Sequence, residues 1–498
     1  MDISDVIAPA FLYVSLLVIL YGILLLSYRI LLHPLKAYPG LFLARLSDIH
    51  NGYYVMRKSL HLVSRSYHQK YGKVIRHGPN KLLFNTPKAL HDIYNNDMVV
   101  KSYVYSVFIQ TPGVHSLFTV VDKQHHTAKR RIVGQVINDR SMKMFEPSMA
   151  GQIDIYLKLL SESSKRPDPK PVNMTQMFEY LACDIVGLLA FGYHLNLQTE
   201  ATNRFMLQGM YSANHWTNLR MHFFILHQLG LIRIIRRLNG SILVSKANAE
   251  TTSQDDRIHM SEIWSEGISF FPAGAFSTSG ALSALFFYLS QSPSCYKRLA
   301  TEIRSAFAAS HEIRGGPKLA DCQYLRACID EALRIAPPVP GTMWREPAAN
   351  NSKPLIIDGH YIPPGTQIGV NIYAIHHNPE YFQDPFTFKP ERWLSETPEA
   401  QRKSMQDAFS AFSVGYRGCA GKAMAYLESS LVVAKTLWYF DFERAPGKLG
   451  EVGGGRPGSH NGRSRLDEFQ LYDIISGAHD GPFLIFTSRG DSSASERR

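Results

Sequence analysis

The stretch that decides the reading of this chain is Phe412-Ser413-Val414-Gly415-Tyr416-Arg417-Gly418-Cys419-Ala420-Gly421. It is a glycine-punctuated loop that runs into an apolar segment, Ala423–Tyr439, spaced as a helix. Its one cysteine stands just before the predicted helix start, where the positive end of the helix dipole and neighbouring Arg417 both favour a thiolate. Glycines on either side remove the Cβ atoms that would keep a large flat group away from the backbone. In a featureless loop a lone cysteine reads as a small buried hydrophobe. This loop is not featureless.

Composition narrows the classes that can own such a loop. Among 498 residues, 45% are apolar and 19% charged, which supports a large core and excludes a disordered chain, a collagen-like fibre or a coiled coil. The five cysteines (Cys183, Cys295, Cys322, Cys328, Cys419) form no CxxC pair, so a disulfide scaffold, a zinc ribbon and a thioredoxin-type motif are excluded. The chain reads as reduced and intracellular. Lys and Arg number 53 against 42 Asp and Glu, a formal net charge of +11. No basic helix interleaved with aromatics accompanies that excess, so nucleic acid is not a predicted partner. Dispersed charge with short clusters such as Lys129-Arg130-Arg131 suits an acidic protein partner or an anionic membrane.

Upstream of the loop, Glu331-Ala332-Leu333-Arg334 puts an acid and a base on one helix face, followed by the helix stop Pro337-Pro338. Alone, such a pair is an ordinary solvated contact. It precedes Phe388-Lys389-Pro390-Glu391-Arg392-Trp393, and these motifs stand in a fixed order. The frame Phe-x-x-Gly-x-Arg-x-Cys-x-Gly, five fixed positions in ten residues, resembles the haem-binding loop of the cytochrome P450 family. The connecting text from Pro364-Gly365-Thr366 through His376 to Pro385-Phe386 is also similar, and the resemblance covers the chain from its N-terminal apolar run to about Arg489.

That resemblance implies a mainly α fold (α+β) with small β-sheets around haem b. It implies Cys419 as the axial thiolate on iron, with Phe412, Gly415 and Gly421 framing the haem loop. It implies a structural triad of Glu331, Arg334 and Arg392 behind the haem. His126-Thr127-Ala128-Lys129-Arg130 is similar to the family's WxxxR helix, with histidine for tryptophan. The expected propionate partners are therefore His126, Arg130, Arg345 and Arg417, arginine suiting a partly buried carboxylate through its two-pronged fork. The sequence His376-His377-x-Pro-Glu380 lacks the helical HExxH frame and reads as structural.

The expected activity is that of a monooxygenase, using O2 and electrons from NADPH delivered by NADPH–cytochrome P450 reductase, with cytochrome b5 as a further donor. A lipophilic small molecule would be hydroxylated, epoxidised or desaturated. The N-terminal run, Tyr28-Arg29 with His33-Pro34-Leu35, and the HxxxRR-type helix resemble filamentous-fungal microsomal members, many of which tailor secondary metabolites. One departure keeps two alternatives open. The family's distal helix carries Ala/Gly-Gly-x-acid-Thr-Thr/Ser, whereas this chain reads Ala273-Gly274-Ala275-Phe276-Ser277-Thr278. Ser277 and Thr278 are the candidate catalytic residues there, and Phe276 stands where an acid is expected. A phenyl ring relays no proton, so Phe276→Asp is expected to improve coupling of NADPH use to product unless the ring shapes the pocket. The alternatives are a redox-neutral or ring-rearranging haem-thiolate enzyme, and a haem-binding protein without turnover. Pro272 is expected to kink this helix, and the segment between Asp256 and Gly267 is short for the family.

At the N-terminus, Val6–Tyr28 is free of charge and, at ~1.5 Å per residue, long enough to cross a bilayer. Asp2 and Asp5 before it and large residues at its end argue against a cleaved signal peptide. Arg29, His33, Lys36 and Arg45 follow, so the positive-inside rule predicts a cytoplasmic body, and the resemblance to microsomal members implies the endoplasmic reticulum membrane. The Asn-x-Ser/Thr matches at Asn173, Asn239 and Asn350 are then expected to stay unmodified. The expected organisation is an anchor over 1–28, a basic Pro/Gly hinge over 29–45, one catalytic domain over 46–489 and a disordered tail over 490–498. Within the domain, Gly78-Pro79-Asn80 predicts a β-hairpin, Thr86-Pro87 a helix start, residues 355–373 a second strand-rich patch, and the seven glycines of 446–465 a loop.

Overall fold

The computed structural model describes residues 3–165, 169–228, 254–349, 353–459 and 462–489. The expected tail, Asn239 and Asn350 lie outside these residues. The first helix, Ile3–Leu31, continues past the expected anchor boundary. Among the described residues three helices are long and apolar enough to cross a membrane, and of these only Ala10–Leu31 has none of its window buried. The other two, Met174–Phe191 and part of Gln254–Gln291, are largely buried and pack along each other at the centre of the body. Their apolar faces are thereby covered by protein.

The segment expected to be a hinge is pinned to the body. Arg76 donates through Nη1 to the Arg29 carbonyl at 3.0 Å, the Arg76 N–H donates to the Pro39 carbonyl at 2.7 Å, and His33 meets Asn80 Oδ1 at 2.7 Å. Leu35 is fully buried.

The hairpin forms as the sequence predicts, with Val74–Gly78 antiparallel to Lys81–Phe84. Thr86 then caps the helix Pro87–Tyr94 by accepting the Ala89 N–H at 3.1 Å. The hairpin extends into a five-stranded sheet through Gln367–Val370, Arg345–Pro347 and Val99–Lys101 in that spatial order. Because Val99–Lys101 runs antiparallel to Arg345–Pro347, Lys101 stands directly opposite Arg345. The strand-rich patch also supplies the hairpin Leu355–Ile357 with His360–Ile362. A three-stranded sheet joins Val172–Asn173, Phe483–Ser488 and Phe440–Arg444, and Asn173 caps the helix that follows it.

The principal core lies between the central helices and Lys422–Tyr439, built on Phe178, Phe286, Leu285, Leu431, Val432 and Leu437. Gln254–Gln291 runs as one helix through Pro272. Lys422–Tyr439 starts one residue earlier than its apolar spacing suggested, with Gly421 at its N-cap.

Candidate active site

The loop before Lys422–Tyr439 is folded on itself by main-chain hydrogen bonds. The Cys419 N–H reaches the Phe412 carbonyl at 2.8 Å, and the Gly418 N–H reaches that of Gly415 at 2.9 Å. Gly415 has φ +79°, and a Cβ there would stand 2.2 Å from the Tyr94 carbonyl oxygen, so only glycine fits. At Gly421 a Cβ would meet nothing within 4 Å, leaving an open face beside the cysteine. Four of the five cysteines are buried, whereas Cys419 is exposed. Burial nevertheless pushes its thiol up, opposed by the Gly421 N–H, Arg130 and Lys422. The cations that favour the thiolate are therefore Arg130 and Lys422, not Arg417 as the sequence suggested.

Arg417 instead donates to the Val120 and Val121 carbonyls at 2.7 and 2.5 Å, and its Nε is buried without a partner among the described residues. Arg130, on the helix Lys123–Val136, donates to the carbonyls of Gly418 at 2.7 Å and Cys419 at 3.3 Å, tying that helix to the cysteine loop. Arg345 is 6% exposed, donates to the Trp344 carbonyl at 3.0 Å and lies over the Tyr94 ring. His126 packs edge-on to Tyr416 and is pushed down to about 4, first by burial and then by Arg417, Lys101, Arg130 and Arg345. Lys101 was not a sequence candidate. It is buried, holds the Leu117 carbonyl at 3.2 Å, and is driven well below the usual lysine range by burial and by Arg345 and Arg417.

Among the described residues, none of Lys101, Arg130, Arg345 and Arg417 makes an ion pair with an Asp or Glu. Converging cations that hold Lys101 and His126 below their ordinary ranges, with a buried guanidinium nitrogen that has no partner among the described residues, fit a group that brings its own negative charges. The two carboxylates of a haem meet that requirement.

The expected triad is present and fully buried. Glu331 Oε1 accepts from Arg334 Nη2 at 2.8 Å, Arg392 Nε at 3.1 Å and the Lys389 N–H at 3.0 Å. Its Oε2 accepts from Arg334 Nε and from Trp393 Nε1, each at 2.9 Å. Five donors on one carboxylate outweigh its desolvation and hold Glu331 below the usual carboxylate range. His376 carries this network to the cysteine loop. Its Nε2 accepts the Ser410 N–H at 2.9 Å and its Nδ1 meets the Arg334 carbonyl at 3.0 Å. Burial lowers it to about 3, so the ring is neutral and its role structural. Trp393 stands in the quoted motif but was given no role there, and Ser410 was not singled out by sequence, because each acts through tertiary contacts alone.

On the distal helix, Ser277 is partly exposed and its Oγ donates to the Ala273 carbonyl, while Thr278 is buried. Phe276 is 1% exposed and stacks on Tyr211 of the helix Phe205–His222. The Tyr211 hydroxyl donates to Glu179, a buried acid pushed up to about 7 by desolvation. Further along the same helix, Glu266 accepts the Leu117 N–H at 2.9 Å and Lys129 Nζ at 3.0 Å, clamping the 116–120 loop over the cations.

A cysteine presented beside a glycine-cleared face, under converging unpaired cations, belongs to the class of haem-thiolate oxidoreductases. The chain belongs to the cytochrome P450 family, whose sequence pattern matches residues 49–240 and 233–451. Curated relatives include cytochrome P450 monooxygenase AKT7 of Alternaria alternata, 33% identical over 93% of this chain and 94% of the relative. Cytochrome P450 monooxygenase apf7 of Gibberella fujikuroi is 32% identical over 94% of this chain and 96% of its own. Cytochrome P450 monooxygenase poxM of Penicillium oxalicum is 31% identical over 94% and 93%. The protein is an oxidoreductase of this family.

Proposed function

We propose that this protein is a membrane-anchored monooxygenase that oxidises a lipophilic small molecule, an intermediate of fungal secondary metabolism, by hydroxylation, epoxidation or desaturation. The observation that carries this reading is the exposed Cys419 in a loop that Gly415 lets close against the Tyr94 carbonyl and that Gly421 leaves open beside the cysteine. Haem b, when bound, supplies oxygen activation that no side chain provides, with the axial thiolate favouring O–O cleavage. Cys419 is the ligand in this reading, its sulfur steadied by the Gly421 N–H and by Arg130 and Lys422. Arg130, Arg345, Arg417, His126 and Lys101 hold the propionate edge. Ser277 and Thr278 stand on the oxygen side and Ser277 moves the protons.

Electrons come from NADPH–cytochrome P450 reductase, with cytochrome b5 as a second donor, docking through the protein's basic excess. In this reading the body lies on the cytoplasmic side of the endoplasmic reticulum, supported by the apolar helix Ala10–Leu31 and the cations Lys36 and Arg45 after it. Phe276 favours a second reading, a redox-neutral or ring-rearranging reaction on the same haem. The test is Cys419→Ser. The variant is expected to lose the carbon monoxide difference band of thiolate-ligated haem and reductase-dependent oxygen consumption. Retention of that band would overturn the ligand assignment, and a wild type that binds haem without oxygen uptake would favour the second reading.

A further inference from the structure

A partly open cleft beneath the loop 103–118 is walled mainly by Tyr105, Phe108, Phe118, Met221, Met343 and Trp344. Among the described residues a single acidic side chain, Asp473, lines it, and no lysine or arginine does. Asp473 stands on the strand Tyr472–Ile474, paired with Ser476–Ala478 across a turn at Ile475. Its backbone is fixed at both ends: the N–H donates to the Lys58 carbonyl at 2.9 Å, and its carbonyl accepts Asn218 Nδ2 at 3.2 Å.

The carboxylate itself is much less satisfied. Asp473 is 6% exposed, and its Oδ1 accepts one long hydrogen bond, from the Ile475 N–H at 3.3 Å. Oδ2 has no hydrogen-bond partner among the described residues. The nearest guanidinium is engaged elsewhere: Arg463 donates to Gln470 Oε1 and the Lys58 carbonyl at 3.0 Å and to the Leu471 carbonyl at 2.8 Å. Other polar groups on the cavity wall are already paired. Asn371 accepts the Ala374 N–H and donates to Thr342. His222, on the Asn218 carbonyl, is pushed down to about 4 by burial and is uncharged. Gly341 also lines the cavity, and a Cβ there would stand 3.1 Å from Oδ2. The missing side chain at 341 leaves that oxygen open to a ligand.

A buried carboxylate with one weak bond is expensive unless something charged completes it. We propose that Asp473 binds the protonated amine of a lipophilic, nitrogen-containing substrate in this cavity, with the aromatic wall covering the substrate's apolar body. Burial raises the Asp473 carboxyl only to about 6, so it is mostly ionised at neutral pH and pairs with a cation better than with a neutral donor. This assignment takes the monooxygenase reading for the fate of the bound molecule and does not need it for binding.

The experiment is calorimetric titration of the full-length holoenzyme with N,N-dimethyl-3-phenylpropylamine and with the neutral 3-phenyl-1-propanol. Asp473→Asn is expected to weaken the amine ~10–100-fold, the range of a hydrogen bond to a charged group, and to leave the alcohol within about twofold. Gly341→Ala, which keeps the charge and covers Oδ2, is expected to weaken the amine in the same direction and decides the matter if Asp473→Asn does not fold. Equal amine affinity in wild type and variants, the result of direct binding to iron, overturns the proposal. So does an alcohol that loses as much as the amine. The carbon monoxide spectrum of the same samples separates the two readings. An amine preference that depends on Asp473, in a protein lacking the thiolate band, sinks the ligand assignment and leaves this inference standing.

Discussion

Phe276 and Tyr211 lie ring against ring, their centroids 4.4 Å apart and their planes 26° from parallel. The position at which the family pattern carries an acid is thus an interhelical aromatic contact, joining the helix Gln254–Gln291 to Phe205–His222. The nearby acid is Glu179, bonded to the Tyr211 hydroxyl from a third helix, Met174–Phe191. The ring at 276 faces the core and not the open side of its helix.

This overturns the effect expected of Phe276→Asp from sequence. An aspartate there would lose the ring's packing and bury a second carboxylate beside Glu179. Removing a buried phenyl ring costs ~3–5 kcal/mol, and an unpaired charge adds to that. The expected outcome is a lower melting temperature and less haem-loaded protein, with Phe276→Leu much milder. A Phe276→Asp protein as stable as wild type and better coupled would restore the proton-relay reading of this position.

The triad gives a second prediction. Glu331 receives five donors in a fully buried site, so Arg392→Leu leaves it short of one charged partner. Breaking a buried pair from one side costs ~3–5 kcal/mol. Through His376 and Ser410 the loss reaches the cysteine loop, so haem occupancy is expected to fall along with the unfolding midpoint. Normal occupancy in a destabilised variant would separate the triad from the loop.

Glu428 supplies a pH-dependent one. It lies on Lys422–Tyr439 at 1% exposure, its Oε1 has no partner among the described residues, and burial pushes it up to about 8. A carboxyl raised on folding keeps its proton in the folded state and loses it in the unfolded one. Its contribution is therefore fully present below the ordinary value of 4.5 and is lost as pH rises through about 8. Glu428→Gln is expected to flatten the decline of the melting temperature across that window. If the variant follows the wild-type slope, another buried acid such as Glu468, pushed to about 7, is responsible.

What could be read from the sequence is what short spacing encodes. The cysteine loop, the acid–base pair one helical turn apart, the 78–80 turn and the Thr86 cap each lie within about ten residues, and each forms as its chemistry dictates. What could not be read depends on the packing of distant segments. Lys101 joins the cation cluster only because strand register sets it opposite Arg345. Asp473 makes no hydrogen bond with Arg463 among the described residues, the guanidinium donating to Gln470 and two carbonyls instead. Arg417 sits in its predicted motif, yet its closest bonds are to Val120 and Val121, which no local pattern announces.

Ser277 is left as the hydroxyl on the open side of the distal helix, and its own hydrogen bond shapes the final prediction. Its Oγ donates to the Ala273 carbonyl one turn back, so as the helix stands the proton is committed to the backbone and the oxygen lone pairs are free. To hand a proton on, the hydroxyl would have to rotate away from Ala273 and take a replacement proton from water, since Phe276 offers none. Ser277→Ala removes that step and leaves the cavity around Asp473 untouched. Substrate affinity is therefore expected to hold, while product formation falls by ~10²-fold, the low end for a positioned acid–base group, and hydrogen peroxide release rises. Product, NADPH and peroxide measured in the same reaction distinguish this from simple loss of activity. If product and coupling are unchanged in Ser277→Ala, protons do not travel through this hydroxyl, and the redox-neutral reading moves ahead of hydroxylation.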